Sequence, residues 1–211
     1  MVRETGGLRA DAARNRRLLL DAAEAELAEH GLDVSIARIA ARAGIGKGTV
    51  FRHFATKDQL VAAIFTDQLD GLAATGAALL EAAEPGVALL EFMTAGVELQ
   101  AGGQSVCQLA ASISRTDPAV RAAVGRLADV AEALTARARA AGAVREDVTG
   151  HDIVLLLAAA SQAAVPLGDV VPGLWRRYLG LIFDGLRPEA AHPLPVPAPT
   201  NAQLTAAAQP A

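Results

Sequence analysis

Apolar side chains in the first sixty residues recur three and four positions apart, the spacing of a helix face rather than the alternation of a strand. Leu19, Ala22, Ala23 and Leu27 form one such face, in a predicted helix from about Asp11 to Glu29 that His30-Gly31 ends. Ile36, Ile39, Ala40 and Ala43 form a second, and Val50 and Phe54 a third, with Ile45 between them. Ser35 stands where an N-cap belongs. Ala43-Gly44-Ile45-Gly46 supplies a residue that takes positive φ without steric cost, so one short helix ends there and the next crosses it steeply. Two short helices about a glycine turn are the grammar of a helix-turn-helix DNA reader.

Further on, Thr56-Lys57-Asp58-Gln59 reads as a capping box that opens a long helix to about Leu80. The N-terminus of that helix suits a DNA phosphate, and because the helix leads into a second domain, a tilt there moves the reader. Breaks at Glu84-Pro85-Gly86, Ala101-Gly102-Gly103, Thr116-Asp117-Pro118, Ala141-Gly142 to Thr149 and Leu167-Gly168 to Pro172 divide the second domain into five further helices. Asp117-Pro118 and the pair Thr149 and Asp152 mark two of their starts. The predicted fold is all-α with about nine helices. It comprises a disordered arm at 1–10, a helix-turn-helix domain at 11–57, a helical ligand-binding and dimerisation domain at 58–187, and a Pro/Ala-rich disordered tail at 188–211. Arg3 and Arg9 either reach toward DNA or belong to a solvated arm.

Composition agrees: hydrophobic residues make up 52% of the 211 and aromatics 3%, with few β-branched runs, which favours helices. The longest apolar run, Ile153 to Ala160, is too short to span a bilayer, and no membrane partner is expected. A single cysteine, Cys107, excludes an internal disulfide and fits a cytoplasmic protein. The net charge of −4 would argue against a nucleic-acid partner, but its distribution reverses that. Residues 1–57 carry ten basic and seven acidic side chains, against nine and sixteen in the remainder, and the chain's two lysines, Lys47 and Lys57, both fall in the basic part.

At 100° per residue from Val50, Gly48 and Arg52 point about 160° from the core, with Thr49 and Phe51 about 100° to either side. Lys47 and His53 flank the buried stripe. An exposed helical glycine costs about 1 kcal/mol against alanine; Gly48 either admits the close approach of a DNA backbone or eases the turn. From about Asn15 to Phe65 the sequence resembles the TetR/AcrR-type transcriptional regulators, through Ile39-Ala40, Ala43-Gly44-Ile45, Gly48-Thr49, Phe51, His53-Phe54, Lys57 and Leu60. The resemblance implies a homodimer with an N-terminal three-helix DNA-binding domain and a larger helical domain for effector and partner. It departs from the family pattern at Gly46, where serine is frequent, and at Phe51, where tyrosine is frequent. Without the hydroxyl, Phe51 is left with apolar contacts to sugar or a thymine methyl.

The expected function is a sequence-specific regulator of double-stranded operator DNA, a repressor released by a small-molecule effector. Lys47, Gly48, Thr49, Phe51 and Arg52 would enter the major groove, and Ser35, His53 and Lys57 would hold phosphates. The last two predicted helices, His151 to Val165 and Pro172 to Leu186, are dimerisation candidates. Their faces at Ile153, Leu156, Leu157 and Ala160 and at Trp175, Leu179, Ile182 and Leu186 either pair across subunits or are buried within one. Phe92, Met93, Gln104, Cys107, Gln108, Gln162, Trp175 and Tyr178 mix apolar and polar groups as effector pockets do. Cys107 is either a redox switch or a small buried apolar residue. No enzyme, cofactor or metal is expected. Ala41 and Gly48 break the P-loop pattern around Gly46-Lys47, and the four histidines lack zinc spacing. The alternative is a helical small-molecule binding or scaffold protein with a vestigial reader.

Overall fold

Helical periodicity becomes eight α-helices, with no strand among the described residues, and the fold is all-α. A computed structural model describes residues 4–102, 117–168, 170–200 and 202–203, by backbone alone at 4–13, 32 and 190. The helices are α1 (Glu4–His30), α2 (Ile36–Arg42), α3 (Lys47–His53), α4 (Lys57–Leu79), α5 (Pro85–Gly102), α6 (Pro118–Ala140), α7 (Gly150–Ala164) and α8 (Trp175–Gly185). The helix expected between Gly103 and Thr116 lies outside the described residues.

The chain divides into two compact units, with one boundary after Asp67 and another after Val120. The first has a core of Leu19, Leu20, Ala23 and Leu27 from α1, Ile39 and Ala40 from α2, Val50 from α3, and Leu60, Val61 and Ile64 from the start of α4. Its helices begin and end where the local chemistry dictates. The Ser35 hydroxyl accepts from the Arg38 N–H at 3.2 Å, and Thr56 Oγ1 accepts from the Gln59 N–H at 3.2 Å while Gln59 Oε1 accepts from the Ala55 N–H at 2.8 Å. Removing such a cap costs about 1 kcal/mol.

Asp117, in the first unit, caps the start of α6 with its Oδ1 accepting from the Ala119 and Val120 N–H groups, and α6 runs on into the second unit. Thr149 and Asp152 form a full capping box at α7. Helix α7 packs against α5 and α8. With its adjoining turn it is the one stretch among the described residues long and apolar enough to cross a membrane, yet Ile153, Leu157 and Ala160 sit in the core of this unit.

Two expectations are corrected and one alternative is narrowed. Helix α1 starts at Glu4 rather than Asp11, so residues 4–10 of the expected arm are helical: adding turns to an existing helix is cheaper than nucleating one, and this outweighs the cost of Gly6-Gly7. Helix α8 starts at Trp175 rather than Pro172, because Gly173 takes φ +77. Finally, Ile153, Leu157 and Ala160 and Trp175, Leu179 and Leu186 are buried within the subunit. The apolar surface left outside on these helices is Leu155 and Leu181, each more than half exposed.

Candidate nucleic-acid interface

The reader is held by one turn. Gly44 adopts φ +67, and the Ile45 N–H then reaches the Ala40 carbonyl at 3.0 Å while the Gly44 N–H reaches Ala41 at 3.1 Å. This paired closure satisfies the last carbonyls of α2 and launches α3 in a new direction. Val50 is then driven fully into the core and Phe54 nearly so, with the Arg16 guanidinium 5.8 Å above the Phe54 ring. With Val50 inward, Lys47, Gly48, Phe51 and Arg52 are exposed, and Thr49 and His53 are half-buried.

The exposed side chains of α3 are partly ordered by one another. Arg52 Nη2 donates to Thr49 Oγ1 at 2.8 Å. The Lys47 ammonium lies 5.8 Å from the centre of the Phe51 ring, a cation–π pair one helical turn apart. Gly48 is neither strained nor crowded: its φ is not positive, and a Cβ added there would meet no atom within 4 Å. Nothing among the described residues requires a glycine at that position. Lys57, at the first residue of α4, donates to the Val34 carbonyl at 2.8 Å and so ties the start of α4 to the residue before the Ser35 cap.

Behind this surface a charged clamp holds α2 on α1. The Glu26 carboxylate, almost fully buried, meets Arg38 Nε at 2.6 Å, Arg42 Nη1 at 3.2 Å and His30 Nδ1 at 3.3 Å. Arg42 also grips Glu29 through two hydrogen bonds of 2.7 and 2.8 Å, which hold the Glu29 carboxyl below its ordinary range and push the Arg42 guanidinium up. Arg38 Nη2 lies 2.7 Å from His30 Nε2; with that nitrogen accepting, the ring proton sits on Nδ1 and faces Glu26. Glu26, Glu29 and His30 bring ligand atoms within 4.8 Å of one another, but the two guanidiniums already neutralise these carboxylates. The group is an ion-pair clamp.

Residues 19–64 match the model of bacterial regulatory proteins of the tetR family, and residues 84–188 match the C-terminal domain model of SbtR-like transcriptional regulators. A TetR transcription regulatory protein from Mycobacterium vanbaalenii is 36% identical, with a TM-score of 0.65 over 85% of this chain and 99% of its own. The chain belongs to the TetR family. A TetR regulator from Streptomyces coelicolor is 27% identical, with a TM-score of 0.65 over 82% of this chain and 98% of its own. The regulator FadR from Bacillus subtilis, solved with stearoyl-CoA, shares the fold at 16% identity, with a TM-score of 0.60 over 83% and 99% of the two chains.

As a TetR-family member, the chain is a DNA-binding transcriptional regulator. Of the residues expected to line an effector pocket in its second domain, Phe92 and Met93 are fully buried, the Phe92 ring lying against Gly76. Trp175 is buried under the Arg176 guanidinium, 4.3 Å from its ring. Tyr178 is half-buried and Gln162 is exposed. Gln104, Cys107 and Gln108 lie outside the described residues. Residue spacing missed Glu26, Arg38 and Arg42; the signal for them was a pair of arginines four apart on α2, following acids at the end of α1.

Proposed function

We propose that this TetR-family regulator is a homodimeric repressor that reads its operator with the exposed face of α3 and is released by a small-molecule effector. Lys47, Gly48, Thr49, Phe51 and Arg52 enter the major groove, and Ser35, His53 and Lys57 lie along the phosphates. The observation that carries this reading is Gly48, exposed and sterically free on a helix whose fold would tolerate alanine. A fold indifferent to the side chain, paired with a residue that costs helix stability, fits a surface another backbone must approach closely.

Dimerisation is supported by Leu155 and Leu181, which α7 and α8 leave more than half exposed beside small residues at Ala158, Ala159 and Gly185. One short helix supplies few base contacts; two copies on a near-palindrome add their binding free energies. The effector binds the second unit more tightly in the state whose two readers are misplaced for adjacent half-sites, so DNA affinity falls by that difference. Transcription in vitro from a promoter overlapping a selected operator tests repression: added protein lowers transcript yield. A raised yield contradicts the repressor assignment.

A further inference from the structure

Arg145 is 8% exposed, and the reading surface makes no use of its charge. A guanidinium withdrawn from water needs close partners to offset its lost hydration. It donates from Nε and Nη2 to the Asp147 carboxylate, and from Nη2 also to the His192 carbonyl at 2.7 Å, 47 residues along the chain. The Arg145 backbone N–H meanwhile donates to the Leu186 carbonyl at 2.8 Å. The chain leaving α8 is therefore fastened twice to the same residue, at Leu186 and at His192. Between these points Pro188–Ala190 makes a single tight turn that brings it back.

Beyond His192 the segment runs Pro193-Leu194-Pro195-Val196. Its prolines lack N–H groups and preset an extended backbone, so little conformational freedom is left to lose when the segment is covered. Leu194 walls a groove of about 450 Å³ together with Leu155 and Leu156 of α7 and Leu181 and Ile182 of α8. Leu155, Leu181 and Leu194 are 52%, 56% and 51% exposed, so three separate segments place half-bare apolar side chains on one groove. The family match ends at residue 188, before this segment.

We propose that residues 191–196 are a strap, clipped by Arg145, that forms part of the surface through which two copies of this chain pair. The occupant is a second copy because the groove is continuous with the outer faces of α7 and α8, so the proposal rests on the pairing described above. The strap widens that interface by carrying Leu194 to its edge. Arg145 acts as a positioning residue, holding the strap through the His192 carbonyl.

Sedimentation equilibrium of the full chain tests this, with far-UV circular dichroism confirming the fold of each variant. Leu194→Asp, at a half-exposed position that the fold tolerates, is expected to weaken dimerisation about tenfold or more while helicity is kept. Arg145→Met is expected to weaken it comparably, and the double variant to be no weaker than Leu194→Asp alone, since both remove one strap. Leu194→Asp pairing as the unmodified chain does, or more tightly, overturns the strap and leaves pairing intact. Additive losses in the double variant overturn the role of Arg145. An unmodified chain that stays monomeric at all concentrations overturns the pairing itself.

Discussion

The Arg52 guanidinium and the Thr49 hydroxyl are joined by a 2.8 Å hydrogen bond across one turn of α3. The bond restrains an exposed guanidinium before any partner arrives. An arginine so held loses less freedom on meeting a base edge than one that moves freely. Arg52→Ala is therefore expected to erode preference at one base pair by about 1–3 kcal/mol, and Thr49→Val to weaken the same preference by a smaller amount. Binding to a panel of single-position operator variants checks this; a loss spread evenly over all positions would assign Arg52 to the phosphates.

Gly48 separates stability from function. Because an added Cβ meets no atom within 4 Å, Gly48→Ala is expected to raise thermal stability, by up to about 1 kcal/mol, while lowering operator affinity. Melting curves and binding isotherms of one preparation measure both effects. A variant that is more stable and binds unchanged would mean that no backbone approaches Gly48.

Lys57 has two roles to separate. Its bond to the Val34 carbonyl fastens the start of α4 to the start of α2, and its loss is expected to cost about 1 kcal/mol of stability. If the ammonium also faces a phosphate, Lys57→Met flattens the slope of log affinity against log salt by about one unit. A stability loss with an unchanged slope would restrict Lys57 to holding the fold.

Acid weakens the clamp between α1 and α2. Arg42 holds the Glu29 carboxyl below its ordinary value of 4.5, so its contribution to stability is complete above that value and is lost as pH falls through the lowered one. The first unit is expected to lose stability below about pH 4.5, and Glu29→Gln to make that dependence shallower. Urea melts between about pH 5 and 3 follow it; identical slopes for the two proteins would remove Glu29 from the account. Glu26→Ala, which leaves Arg38 and Arg42 without their buried anion, is expected to cost about 2 kcal/mol at neutral pH.

What was legible in the chain was mostly local. Ser35, Gly44, Thr56, Asp117 and Thr149 act on backbone groups within a few residues, and each stands where its chemistry placed it. Val50 and Phe54 likewise took the inward positions their spacing required. Contacts between distant residues were not legible: Glu29 with Arg42, Lys57 with Val34 and Arg145 with His192 join residues 13, 23 and 47 apart, and spacing along the chain carries no trace of such meetings. Spacing did pick out Ile153, Leu157 and Ala160 as one face of α7, and these are buried, but it carried no sign of which other apolar residues would stay outside. The run Ile153 to Ala160 is apolar all round, and only packing against α5 and α8 leaves Leu155 outside.

Selection of bound duplexes from a random pool by the full-length protein addresses the central claim most directly, because it reports partner, symmetry and half-site spacing together. The account predicts an enriched near-palindrome whose half-sites are matched to two copies of α3, with Arg52→Ala eroding the preference at one position of each half-site. Enrichment of no sequence, or of a single half-site bound by a monomer, would contradict it.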